Sequence, residues 1–152
     1  NYVYIMTPYL ILDDELVRAM TFAARRGVDV RIIMPGIPDK QYAFDIATTY
    51  FKALLDAGVR IFRYRPGFVH AKVYVSDANQ AVVGTINTDY RSLYQNFENG
   101  IYLYKNLEVL KIEQDFEKTQ ALSEEVTLES LSKMPLVHRL SGYLFSLIGP
   151  LM

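Results

Sequence analysis

The 152-residue sequence holds no cysteine and only two histidines, His70 and His138. Without cysteine there is no disulfide, no thiol nucleophile and no thiolate metal site. Two histidines are too few for a histidine-built metal centre, so neither metal nor cofactor is expected. Positive charge is not in excess either. Sixteen Lys and Arg stand against seventeen Asp and Glu, for a net charge of −1. Nucleic-acid binding needs a basic footprint, and no nucleic-acid partner is expected. No apolar run reaches the ~20 residues of a membrane helix; the nearest, residues 143–152, is shorter. No segment reads as a signal peptide. The chain opens at Asn1 directly into strand-like sequence, which reads as a piece of a longer protein.

What is present is ordinary globular composition, with 51% hydrophobic and 22% charged residues. No internal repeat or low-complexity linker divides it, so residues 1–152 are expected to form one domain, with 123–152 as a C-terminal helical tail. Tyr2-Val3-Tyr4-Ile5-Met6 is β-branched and aromatic and predicts a strand, broken by Thr7-Pro8-Tyr9. Asp13 fits a helix N-cap, with Asp14 and Glu15 in the first turn, Arg25 and Arg26 in the last, and Gly27 as the stop. Residues 28–34 predict a strand, 40–57 a helix closed by Gly58, and 59–64 a third strand. Strands alternating with helices imply βαβ units and parallel pairing. Beyond them, 68–76 and 80–86 predict an antiparallel hairpin around Asp77-Ala78-Asn79. Residues 96–104 predict another strand and 107–122 an amphipathic helix. The expected fold class is therefore α/β, a mixed, mostly parallel sheet flanked by helices on both faces.

The chemistry concentrates in Phe68-Val69-His70-Ala71-Lys72-Val73-Tyr74-Val75-Ser76-Asp77. On a strand, His70 and Lys72 share one face, and Val69, Ala71, Val73 and Val75 fill the other. A cation and an imidazole side by side on a buried strand call for an anion between them. Phosphate matches both: Lys stabilises charge, and His serves as nucleophile or acid/base near neutral pH. The hairpin returns Gly84-Thr85-Ile86-Asn87 beside them. Thr85 and Asn87 then offer neutral donors to phosphoryl oxygens. Glu98, on the next expected strand, is placed to hold the other His70 nitrogen and fix its tautomer.

His70-x-Lys72-x-x-x-x-Asp77 followed by Gly84-Thr85-x-Asn87 resembles the HKD signature of the phospholipase D superfamily. The flanks narrow it. Thr7-Pro8-Tyr9, Arg26-Gly27-Val28-Asp29-Val30-Arg31, Val82-Val83-Gly84-Thr85-Ile86-Asn87-x-Asp89-Tyr90-Arg91-Ser92, Phe97-Glu98 and the closing Pro150-Leu151-Met152 are similar to the C-terminal half of bacterial cardiolipin synthases. The resemblance implies a metal-free phosphatidyl transfer in the cell membrane, with phosphatidylglycerol as substrate. One histidine forms a phosphohistidine and a second protonates the leaving alcohol. It implies that Lys72 and Asn87 bind phosphate, that Thr85 assists and that Glu98 orients His70. Asp77, on the opposite parity, is expected to be buried and structural. Only one such motif is present, so the second histidine must come from an N-terminal half or from a homodimer partner.

Plainer readings compete with these. His138 lacks a lysine partner and reads as a surface helix residue. Arg60, Arg63 and Arg65 read as a solvated strand face, with an anion funnel as the alternative. Arg91 fits a headgroup contact or a loop brace equally. The apolar tail 140–152 is expected to dock on the domain, with packing on a missing half or contact with a bilayer as the other readings. Two further functions stand beside the transferase: a homodimeric single-motif phosphodiesterase or nuclease, and a phospholipid- or anion-binding module without turnover.

Overall fold

The computed structural model describes residues 1–147 and Gly149. In chain order the elements are β1 (Tyr2–Met6), β2 (Leu10–Ile11), α1 (Asp14–Arg25), β3 (Asp29–Pro35), α2 (Gln41–Asp56), β4 (Arg60–Tyr64), β5 (Val73–Ser76), β6 (Gln80–Gly84), β7 (Thr88–Asp89), β8 (Gly100–Tyr104), α3 (Glu108–Ala121), β9 (Ser123–Glu125), α4 (Leu128–Ser132) and α5 (Leu136–Ser146). A single π-turn, Arg91–Gln95, separates β7 from β8. Seven strands form one sheet in the order β8-β6-β5-β1-β3-β4-β9.

The α/β class holds, but the sheet is mostly antiparallel rather than mostly parallel. Of six pairings, only β1–β3 and β3–β4 are parallel. The cause is the connections. Only α1 and α2 are crossovers between neighbouring strands; β5 and β6 are joined by a tight turn, which permits only antiparallel pairing. The parallel strands form the centre of the sheet.

Helices cover both faces. Met20 of α1 and Ala47, Phe51 and Leu54 of α2 pack with Ile5, Val30, Ile32 and Ile61 on one side. Val109 and Phe116 of α3 pack with Tyr4, Met6, Ile33, Phe62 and Val75 on the other. Successive residues of β1 thus feed opposite cores, as a period of two requires. The caps are as expected. The Asp13 carboxylate accepts from the Leu16 N–H at 2.7 Å, and Gly27 takes a φ of +88°, a conformation that favours glycine.

The stretch after residue 122 begins with a strand, not a helix. Ser123-Glu124-Glu125 has poor strand propensity but pairs with β4, and its carboxylates meet the arginines of that strand. Arg60 is paired with Glu125, and Arg63 and Arg65 with Glu124. Each of these arginines is paired with a β9 carboxylate, Arg63 and Arg65 sharing one. The tail docks as expected over the described part: α5 packs along α2, with Gly142 against the Asp45 backbone. Residues 148 and 150–152 lie outside the described residues. His138 is half-buried on α5, its side chain 39% exposed, with Nδ1 3.1 Å from Oδ1 of the buried Asp45. It is a surface helix residue that also docks α5 on α2.

Candidate active site

The site lies where β1 ends. Since β5 runs antiparallel to β1 with Met6 opposite Val73, residues just before β5 emerge beyond the last rung of β1. Residues 68–72 are therefore not a strand: on that side they have no neighbour to pair with. One further bond, Gly84 N–H to the Lys72 carbonyl at 3.2 Å, keeps Lys72 in line with β6. Gly84 is needed for the close approach of β8, because a Cβ there would run into the Asn99 carbonyl.

His70, Lys72, Thr85 and Asn87 line one open cleft of about 500 Å³ with Ala71, Val73, Val83 and Gly84. Lys72 is 8% exposed, whereas His70 is exposed. The Lys72 ammonium donates to the His70 carbonyl at 2.7 Å and sits 2.9 and 3.0 Å from the two ring nitrogens. An ammonium only donates, so a ring nitrogen that bonds it does so as an acceptor. Among the described residues no carboxylate pairs with this ammonium. Burial pushes the Lys72 amine below its usual value, and the negative charges of Glu98 and Asp89 oppose that shift without cancelling it. A buried cation with no carboxylate in direct contact is a place for an anion.

The far wall is fixed by three tethers. The Tyr74 hydroxyl donates to the Ile86 carbonyl at 3.0 Å. The Thr85 N–H bonds the Asn99 carbonyl at 2.8 Å. Thr88, just after Asn87, donates to the Tyr9 carbonyl at 2.7 Å, and β2 and β7 pair alongside. The Thr7-Pro8-Tyr9 break thus anchors the segment that carries Asn87. The buried Asn87 Oδ1 has no partner.

Glu98 departs from expectation. It precedes β8 on a loop and does not hold His70. The Thr85 hydroxyl donates to one oxygen and the Asn96 amide to the other. The Thr85 hydroxyl, then Ser92 and Asn96, with the Lys72 charge, hold its carboxyl below the usual range. Glu98 orients Thr85. Asp77 also departs: it is exposed, at φ +52° in the three-residue connection Asp77-Ala78-Asn79 between β5 and β6. Five residue steps along β5 put it roughly 16 Å from Lys72. Its carboxylate accepts the Tyr2 N–H at 2.7 Å, bracing the hairpin against the start of β1. It bonds a backbone N–H, but it is exposed rather than buried. Sequence reasoning missed Tyr74, although it continues the period of two that joins His70 and Lys72. It also missed Thr88, which carried no signal of its own. Among the described residues no group of three or more His, Asp or Glu is gathered for a metal.

A family described as cardiolipin synthase, PLD-like domain, matches residues 1–120. The chain belongs to this family. It is 41% identical over 149 residues to a cardiolipin synthase of Clostridium perfringens, covering 98% of this chain and 31% of that protein. A Bacillus anthracis protein named cardiolipin synthase 2 is 40% identical over 150 residues, covering 99% of this chain and 29% of its own length. The chain spans about a third of the length of the curated relatives it matches. Two solved structures share the fold. Nuc, a phospholipase D family member of Salmonella typhimurium, superposes with a TM-score of 0.71 at 17% identity, over 83% of this chain and 82% of its own. A phosphatidylserine synthase of Haemophilus influenzae gives 0.67 at 19% identity, over 100% of this chain and 42% of its own.

Proposed function

We propose that the chain supplies one catalytic half of a phosphatidyltransferase that makes cardiolipin and glycerol from two phosphatidylglycerol molecules. The observation that carries this is the buried, carboxylate-free Lys72 ammonium beside His70, facing one cleft with Thr85 and Asn87. A histidine ring nitrogen attacks the phosphorus of the first lipid. The N–P bond forms as the bond from phosphorus to the headgroup glycerol oxygen breaks. A second histidine protonates that oxygen, and glycerol leaves. The same second histidine then takes the proton from a hydroxyl of another phosphatidylglycerol. That oxygen attacks phosphorus, the N–P bond breaks, and cardiolipin departs with the first histidine restored. His70 fills one of these two roles. Lys72 neutralises the phosphoryl oxygens, and Thr85 and Asn87 hydrogen-bond them.

The other histidine comes from the rest of the full-length protein or from a second copy. Val83, Phe97 and Ile101 are exposed apolar residues near the cleft that such a partner would cover. The reaction places the protein at a bacterial membrane. No helix among the described residues is long and apolar enough to cross one. The outer face of α5 fits the surface of an anionic bilayer. Leu136, Leu140, Tyr143, Leu144 and Leu147 are bare, and residues 130–152 contain Lys133 and Arg139 but no acid.

The test uses the full-length protein in membranes with phosphatidylglycerol as sole substrate, for wild type and His70→Ala. Mass spectrometry should find cardiolipin and glycerol from wild type, and a loss of at least ~10²-fold in the variant. Phosphatidic acid in place of cardiolipin would make it a hydrolase. No lipid product would turn the reading towards the homodimeric nuclease or the binding module.

A further inference from the structure

A second cavity of about 310 Å³ borders the His70 cleft, and Asn87 lines both. Its other walls come from distant parts of the chain: Tyr9, Lys40, Asp89, Arg91 and Asn96. Lys40 and Arg91 are exposed, and among the described residues neither has a carboxylate within ion-pair distance; the Lys40 ammonium lies 5.8 Å from the Tyr9 ring centre. Arg31, Arg60, Arg63 and Arg65, by contrast, are each paired with an acid. Asp89 is the cavity's single acid. One of its oxygens accepts the Ser92 N–H at 2.8 Å; Asp39, which accepts the Tyr9 hydroxyl at 2.6 Å, lies behind the wall, so the lining itself presents two cations and one carboxylate. The cavity is linked to the cleft twice. The Asn87 amide stands between them with its Oδ1 unpartnered, and Asn96 donates at 3.1 Å to Glu98, which in turn receives Thr85.

Such a pair of compartments suits two anionic groups separated by a short polyol. The geometry points to this cavity as the acceptor subsite: Lys40 and Arg91 hold the phosphodiester of the incoming glycerophospholipid headgroup, with Asp89 accepting from its hydroxyls, while the donor phosphate occupies the His70 cleft. This rests on the transferase reading above. It adds the residues that separate an anionic lipid acceptor from glycerol or water. A charge-assisted contact to phosphate contributes enough that losing one weakens acceptor use by roughly tenfold or more. A neutral acceptor makes no such contact.

The experiment compares two reactions in the full-length protein, for wild type, Lys40→Gln, Arg91→Gln and the double variant. One is cardiolipin formation from phosphatidylglycerol. The other is exchange of labelled free glycerol into phosphatidylglycerol, which uses the same donor but an uncharged acceptor. Cardiolipin formation should fall about tenfold in each single variant and further in the double. Glycerol exchange should stay within about twofold of wild type, which also shows that the variants are folded. Arg91→Lys should recover part of the loss. The acceptor assignment is overturned if both reactions fall together, or if neither falls. If wild type exchanges no glycerol and makes no cardiolipin, the transferase reading fails, and this inference fails with it.

Discussion

The Tyr74 hydroxyl donates to the Ile86 carbonyl across the mouth of the hairpin at 3.0 Å, fixing the strand end that carries Thr85 and Asn87. Burial pushes this phenol well above its usual range, so it remains a donor throughout the physiological pH range. Tyr74→Phe removes that tether and leaves the ring in the core. The expected stability loss is about 1 kcal/mol. Activity should fall through Asn87, which makes Tyr74 a positioning residue. Transfer rates of Tyr74→Phe, Asn87→Ala and the pair form a double-mutant cycle. The two effects should be strongly non-additive. Simple additivity would mean that Tyr74 only supports the fold.

Asp77 belongs to the motif by sequence and to the scaffold by structure. Its carboxylate accepts the Tyr2 N–H, and the Tyr2 hydroxyl accepts the Ala78 N–H at 2.7 Å. Asp77→Ala should lower the urea midpoint by an amount equivalent to about 1–2 kcal/mol. The turnover of the molecules that remain folded should be near normal. A variant that kept wild-type stability but lost turnover would return Asp77 to the catalytic group.

The core elements were legible where local signals agreed: the caps at Asp13 and Gly27, and the strand-helix-strand pace up to residue 64. The pairing of His70 with Lys72 was legible because both lie on one short segment. What was hidden depends on contacts distant in sequence. The late start of β5 follows from β1 ending at Met6, which nothing in residues 68–72 records. Strand β9 forms against its own propensity because Arg60, Arg63 and Arg65 wait beside it. The partners of Glu98 follow from a loop path, not from strand parity. The Lys40–Arg91 cavity draws on segments around residues 9, 40, 87 and 91, which no linear motif joins.

Acid should weaken the fold through its depressed carboxylates, two of which are held by arginines. Arg31 hydrogen-bonds Asp29 through Nε at 2.9 and 3.1 Å, and Arg60 bonds Glu125 at 2.8 Å. Each carboxyl is held below its usual value, chiefly by the guanidinium hydrogen bonds and against the cost of burial. A depressed folded value means that the contribution is fully present above the unfolded value, near pH 4. It is lost as the pH falls through the folded value. Melting temperatures should therefore be level from about pH 5 to 7 and decline below about pH 4. Arg31→Gln and Arg60→Gln should each flatten that decline. An unchanged slope in both variants would assign the acid sensitivity to other groups.

His138 separates the one-motif reading from a self-sufficient site. Its Nδ1 lies 3.1 Å from the buried Asp45, whose same oxygen also accepts the Gln41 amide at 2.8 Å. The contact fastens α5 to α2 and lies outside the residues that line the His70 cleft. His138→Ala leaves a buried carboxylate with one side-chain donor fewer, a loss of about 1–3 kcal/mol, visible as a lower denaturant midpoint. Cardiolipin formation per folded molecule should be unchanged in the full-length protein. His138→Gln, which can still donate to Asp45, should recover part of the stability. If His138→Ala kept its fold but lost turnover as His70→Ala does, the second acid would lie within this chain, and the requirement for a second motif would fall.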